Sequence, residues 1–292
     1  MKIFDCHVHS SAKGVDSEEF LKRLGEVGAC GACVFSNEPK EFNPVSGTDF
    51  RDRLDTVLLA AKGYEDRIFP VLWIHPFEEN IIEKVGVAAK EGIAAFKIIC
   101  SDFYVYEERS LAVLREIARL GKPVFFHSGI LWDGKVSSEY NRPLNWEHLL
   151  TIEGLRFSMG HCSWPWIDEC IALYGKFLNS LRSRRTAEMF FDITPGTPPI
   201  YRKELLTKLY TVGYDVGDNI MFGTDGVASD YRSGWTGEWL KRDGEILDEI
   251  GVSLKNRKKL YCDNLMRVLG RVDVKTEKAL PDIDNSNAWS AR

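Results

Sequence analysis

The sequence predicts an α/β fold, a (β/α)8 or TIM barrel, formed as a single domain over residues 1–270. Three observations carry that expectation. Strand-like and helix-like runs alternate eight times, the pattern of parallel βα units. They do so within about 270 residues, an ordinary length for such a barrel. No Gly-rich dinucleotide fingerprint follows the first strand, which weighs against an open nucleotide-binding sheet.

The elements follow in order. Lys2–Val8 reads as the first strand, followed by a helix over Ser17–Val27 with Asp16 or Ser17 as its N-cap and Glu18 and Glu19 in its first turn. Ala29–Phe35 is the second strand. Beyond a polar loop, Phe50, Leu54, Val57, Leu58 and Ala61 have the spacing of a helix over Asp49–Lys62. Ile68–Ile74 is the third strand and ends at His75-Pro76; a helix spans Glu79–Glu91. Ala94–Ile99, containing Lys97, precedes a helix over Arg109–Leu120 that stops at Gly121. Pro123–Phe126 ends at His127 and opens a long loop, Ser128–Leu144. A helix over Asn145–Ile152 leads to the sixth strand, Leu155–Met159, which ends at Gly160-His161. A helix over Trp166–Leu178 and a short basic stretch, Arg182–Arg185, come next. That stretch reads as a solvated loop, with a phosphate site as the sharper alternative. Glu188–Ile193 and a Pro-rich loop lead to a helix over Lys203–Val212. The last strand, Asn219–Phe222, ends in Gly223-Thr224-Asp225-Gly226. Helices over Glu238–Ile250 and Lys255–Leu269 close the barrel, and residues 271–292 form a polar tail without periodicity. Either the barrel or a neighbouring subunit would hold such a tail, and the second case would make the protein a homodimer.

Bulk composition narrows the function. With 38 Lys and Arg against 43 Asp and Glu, the net charge of −5 gives no basic footprint for nucleic acid or an anionic membrane. No apolar run approaches the roughly 20 residues of a membrane span. No signal-peptide core follows Met1, so the expected compartment is the cytoplasm. The 7 cysteines are an odd number and sit mostly in apolar runs, as in a reducing compartment. Cys30 and Cys33 have metal or redox spacing, but on a strand i and i+3 face opposite sides, which favours packing.

The chemistry gathers at strand ends. In Asp5-Cys6-His7-Val8-His9, alternation puts Asp5, His7 and His9 on one face. Two imidazoles that converge can grip one metal ion, although two packed histidines bonded to backbone would look the same. Of the 6 histidines, His7, His9, His75, His127 and His161 fall at strand ends, and Asp225 closes the last strand. In a barrel these would meet at the C-terminal mouth, where catalytic groups sit.

Asp5-Cys6-His7-Val8-His9, Phe126-His127, Gly160-His161 and Gly223-Thr224-Asp225 together resemble the metal-dependent amidohydrolase superfamily. The likeness is to its amidohydrolase-2 branch, the group similar to aminocarboxymuconate-semialdehyde decarboxylase, and Asp263-Asn264-Leu265-Met266-Arg267 resembles that family's closing helix. The resemblance implies that His7, His9, His127 and Asp225 bind a divalent ion. It implies that Asp225 is also the base toward activated water, and that His161 binds a second ion or hydrogen-bonds the water. Three imidazoles and a carboxylate suit zinc, with manganese, iron, nickel and cobalt as alternatives. Lys97, alone in an apolar strand, has three readings: a carboxylated bridge between two metals, a partner for a substrate carboxylate or carbonyl, or an ion pair with Asp192 or Glu188. His75, Trp132 and Arg142 are candidates for binding a small-molecule substrate; a packed histidine and an ordinary surface arginine are the plainer readings. Trp164 is a candidate cavity wall and Asp192 a group that orients a ligand. The expected function is hydrolysis of a small molecule at an amide, lactone or related bond. Non-oxidative decarboxylation of a small acid is the alternative, and a metal-free lactonase or small-molecule binder stands behind both.

Overall fold

The computed structural model describes residues 1–11, 14–181 and 187–271. The basic stretch at 182–185 and the tail beyond residue 271 lie outside them. The strands are β1 (Ile3–His9), β2 (Ala29–Phe35), β3 (Ile68–Trp73), β4 (Ala95–Ile98), β5 (Val124–Phe126), β6 (Arg156–Met159), β7 (Glu188–Asp192), β8 (Ile220–Met221) and β9 (Gly226–Val227). All pair in parallel, each with the next from β1 to β8, and β9 adds to the free side of β1. The interstrand helices are α1 (Ser17–Glu26), α2 (Phe50–Ala61), α3 (Ile81–Glu91), α4 (Glu108–Arg119), α5 (Ile167–Leu181), α6 (Arg202–Thr211) and α7 (Ser233–Glu249).

The expected eighth strand is seen as β8, and a short additional strand, β9, follows it beyond the turn that bears Asp225. Cys6 N–H donates to Phe222 O (2.9 Å) and Asp225 N–H to His7 O (2.9 Å), so first and last strands meet and the barrel closes. The arrangement is the expected TIM barrel.

Local chemistry explains the helix starts. The Asp16 carboxylate caps α1 by accepting from Glu19 N–H at 3.1 Å, satisfying a donor with no partner in the helix. α7 begins five residues before the position read from sequence, at Ser233. The segment expected to be a helix over 145–152 is instead a run of 3₁₀ turns, Ser138–Asn141 and Pro143–Thr151, with Pro143 opening the second.

Two apolar layers hold the molecule. Outward strand residues such as Val34, Leu72, Phe96, Phe126 and Phe157 pack on the helices. The inward set, including Cys33, Phe35, Phe69, Val71, Phe125 and Phe190, fills the barrel and meets Leu265 and Val268. Those two belong to the closing helical segment, α8 (Leu254–Lys258) and α9 (Asn264–Val268) joined through a π turn at Lys259–Asp263. Asn264 pins this segment to the last strand by donating to Gly217 O and Ile220 O (2.9 and 2.8 Å). The cysteines are free thiols, as their apolar settings led one to expect. Among the described residues no helix is long and apolar enough to cross a membrane.

Candidate metal centre

At the C-terminal end of the strands lies a cavity of about 1000 Å³ lined by His7, His9, Lys97, His127, His161 and Asp225. β1 supplies His7 and His9, β4 supplies Lys97, and the turns after β5, β6 and β8 supply the others. One ligand atom each from His7, His9 and Asp225 falls within 4.8 Å of the other two. Asp225 Oδ1 lies 3.4 Å from His7 Nε2 and 3.2 Å from His9 Nε2.

Hydrogen bonds fix which nitrogen each imidazole offers. His7 Nδ1–H donates to Asp192 Oδ2 at 2.6 Å, leaving Nε2 with its lone pair turned toward Asp225 and Lys97 Nζ. Asp192 is itself held by Thr194, whose backbone N–H donates to Oδ1 at 2.8 Å and whose hydroxyl bonds the same oxygen. Burial works against ionising Asp192, but the His7 contact and Thr194 outweigh it and hold the carboxyl at about 2. Burial, with the charge of Lys97, depresses His7 to about 4 against the pull of Asp192, so the imidazole is neutral near pH 7. His127 is pushed well below the ordinary imidazole range by burial and by His161 and Lys97. Its Nε2 faces the Ile130 carbonyl at 3.1 Å and must carry the proton, which leaves Nδ1 bare. His161 donates from Nδ1 to Thr194 O at 3.3 Å, which leaves Nε2. Asp225 keeps 37% of its side chain exposed; desolvation opposes its charge, yet the hydrogen bond from His9 and the fields of His7 and His161 hold it ionised, well below the usual carboxylate range.

The backbone around these groups is unusual. His161, Cys162 and Ser163 have φ of 58°, 44° and 58°, and Asp225 has φ of 62°, left-handed values that non-glycine residues rarely adopt. The first run is laced to β5 by Ser128, which donates to Gly160 O (2.6 Å) and accepts from Ser163 Oγ (2.9 Å). Gly196 lies against His161 so closely that a Cβ there would fall 2.6 Å from the imidazole. Only glycine leaves the ring its place.

Several sequence expectations land elsewhere. Asp5 does not share the face of His7 and His9, because the β1 register slips between Asp5 and Val8. His75 does not line the cavity. β3 ends at Trp73, and beyond it the His75 ring packs on Phe77 and Phe103. Both its nitrogens are engaged, Nδ1 by Phe77 N–H and Nε2 by Asp102, each at 3.2 Å. Arg142 also lies outside the cavity, paired with Glu169 at 3.1 Å and set over Trp166. Trp132 and Trp164 do line it, and Trp132 is 78% exposed. His127 lines it but stands outside the three-donor group.

Lys97 is buried with Nζ 3.4 Å from His7 Nε2 and 5.0 Å from the Phe35 ring centre. The ion pair with Glu188 is absent, because Glu188 lies at the far end of β7 and binds Arg267 at 2.6 Å. Burial lowers Lys97 to about 8, against Asp192 and Asp225, which favour its charge. The sequence reading also missed several lining aromatics: Phe42, Trp73, Trp235 and Trp239. Trp73 sits at a strand end two residues before His75, a signal that was available; the two α7 tryptophans carried none.

The profile of the Amidohydrolase family matches residues 4–271. No curated protein matches the chain. Among solved structures, a probable 2-pyrone-4,6-dicarboxylic acid hydrolase from Acinetobacter baumannii, with citric acid bound, superposes with a TM-score of 0.60 at 13% identity, covering 92% of this chain and 100% of that one. Dihydroorotase from Campylobacter jejuni gives 0.58 at 16% identity, over 92% of this chain and 83% of that one. The 2,6-dihydroxybenzoate decarboxylase from Rhizobium gives 0.56 at 12% identity, over 92% and 98%.

Proposed function

The chain belongs to the Amidohydrolase family, and from that premise we propose a metal-dependent hydrolase that opens an amide, lactone or related bond of a small molecule. The observation that carries this reading is the donor group itself. His7 Nε2, stripped of its proton by the Asp192 contact, lies with His9 and ionised Asp225 in a cavity of about 1000 Å³. Two imidazole nitrogens and a carboxylate oxygen fit a divalent ion, zinc first, with manganese, iron, nickel or cobalt as alternatives. His127 is a further donor through Nδ1. A divalent ion there supplies Lewis acidity and draws the pKa of water from 15.7 toward about 7.

The chain's own groups do the rest. Asp225, held ionised, takes the proton from the attacking water and passes it to the leaving group. His161 offers Nε2 as a hydrogen-bond acceptor to that water. Lys97 meets a carboxylate or carbonyl of the substrate, and Trp132 and Trp164 wall its apolar part. Carboxylation of Lys97 is the reading to keep if two ions bind per chain.

Decarboxylation is the second reading, and Lys97 supports it. Among the described residues it forms no ion pair, and it stands in the cavity wall beside His7. A substrate carboxylate held there would lie next to the ion. Product analysis separates the two reactions: water added, or carbon dioxide released. Three probes suit the zinc- or manganese-loaded chain: 2-pyrone-4,6-dicarboxylate, dihydroorotate and 2,6-dihydroxybenzoate. Elemental analysis should find about one divalent ion per chain, lost together with activity in His9→Ala and Asp225→Ala. A chain that binds no ion on reconstitution sinks the metal reading and leaves the metal-free lactonase or binder. A homodimer is the proposed assembly, and light scattering in solution decides it.

A further inference from the structure

Asp5 is buried completely, and its carboxylate accepts four hydrogen bonds. Oδ1 accepts from His7 N–H and Thr224 N–H, both at 3.0 Å. Oδ2 accepts from Thr224 Oγ1 at 2.5 Å and Tyr231 OH at 2.9 Å. These four donors take up its acceptor sites, so none is left for a metal, while burial raises the carboxyl to about 7 against their pull. The four donors come from β1 and from the segment that follows β8, the two stretches that carry His7 and Asp225. Thr224 Oγ1 also accepts from Gly226 N–H at 3.1 Å and so bridges across Asp225, whose backbone is left-handed. Gly223 completes the contact, since a Cβ there would fall 2.9 Å from His7 Cβ.

We propose that Asp5 is a positioning residue that sets the spacing between His7 and Asp225, acting through Thr224 with Tyr231 as its outer anchor. Its importance for metal binding rests on the metal reading above. Its carboxylate takes the place of backbone pairing where the β1 register slips and a turn parts β8 from β9. It holds each donor-bearing segment by a backbone N–H, so the two donors keep their separation before any ion arrives. Groups that orient ligands in this way typically change metal affinity 10–100-fold when lost.

The test uses the full chain with Thr224→Val, which removes the bridging hydroxyl at nearly constant shape, and Thr224→Ser, which keeps it. Zinc affinity is measured by competition with a colorimetric chelator, well below the melting temperature of each variant. Thr224→Val should bind zinc about 10–100-fold more weakly and Thr224→Ser should recover most of the loss. A merely structural role would lower both melting temperatures and leave zinc affinity alone, and that result overturns the proposal. If Thr224→Val does not fold, Tyr231→Phe, which removes only the outer anchor, is judged by the same affinity criterion. If the parent chain itself binds no zinc, the metal reading has failed. The proposal is then decided by the downfield imidazole proton that His7 shares with Asp192, recorded by NMR. A signal that moves in Thr224→Val and returns in Thr224→Ser supports it; an unmoved signal refutes it.

Discussion

Each cavity histidine bonded to an acceptor through one nitrogen is left with the other unprotonated and able to accept. His7 uses the Asp192 carboxylate, His127 the Ile130 carbonyl and His161 the Thr194 carbonyl. Asp192→Asn tests this at His7. Thr194 N–H and hydroxyl already claim Oδ1, so an asparagine there keeps its oxygen toward Thr194 and turns its NH₂ toward His7. Nδ1 must then accept, and the proton moves to Nε2, the atom proposed to meet the ion. Zinc affinity should fall at least 10–100-fold with little change in fold, as read by chelator competition and circular dichroism. The residue scale is also where the sequence was most and least legible. A His-Xaa-His at a strand end and an aspartate closing the last strand were visible because both follow from strand periodicity. The position of Asp5 was not, because a register slip has no composition signal. His75 was misplaced for a related reason: the strand stopped at Trp73, one residue before its expected end, and Trp73 rather than the histidine faces the cavity. Arg142 found Glu169, a partner 27 positions away that no local pattern announces.

The loop after β7 is braced on the site side by Thr194 and Gly196 and from behind by the start of α6. Thr194 touches Asp192 and His161, and Gly196 lies on the His161 ring. From behind, Arg202 at the start of α6 is wholly buried. It binds Asp243 of α7 through two nitrogens (2.7 and 2.6 Å) and bonds the Ile193 carbonyl, while its guanidinium lies over Trp239. Truncating one partner strands a buried charge, so Arg202→Ala should cost about 3–5 kcal/mol in urea denaturation. The double replacement Arg202→Met with Asp243→Leu, which removes both charges, should cost much less. A single variant within about 0.5 kcal/mol of the parent would refute this view of the pair. Strand and helix order was legible because parallel βα units repeat. The short strand β9 was not, since Gly223-Thr224-Asp225-Gly226 looks like an ordinary exit loop until β1 is seen to pair beyond it.

At the scale of the molecule, the barrel separates support from chemistry. Its lower end is closed by Leu265, Val268 and Asn264, and its upper end holds the donors. An ion that binds only the folded chain stabilises it by mass action, about 2.7 kcal/mol at a free concentration 100 times the dissociation constant. Adding zinc to chelator-treated protein should therefore raise the melting temperature in a concentration-dependent way. The rise should vanish in His9→Ala; a rise that persists there would place the ion elsewhere. The seam between first and last strands has a consequence for biosynthesis. Asp5 and Thr224 stand 219 positions apart, so His7 and His9 leave the ribosome long before their partner exists. Closing so long a loop is entropically costly and slow. On the proposed metal reading, ion capture waits until the last strand has docked, and metal loading becomes a check that the whole barrel has been made.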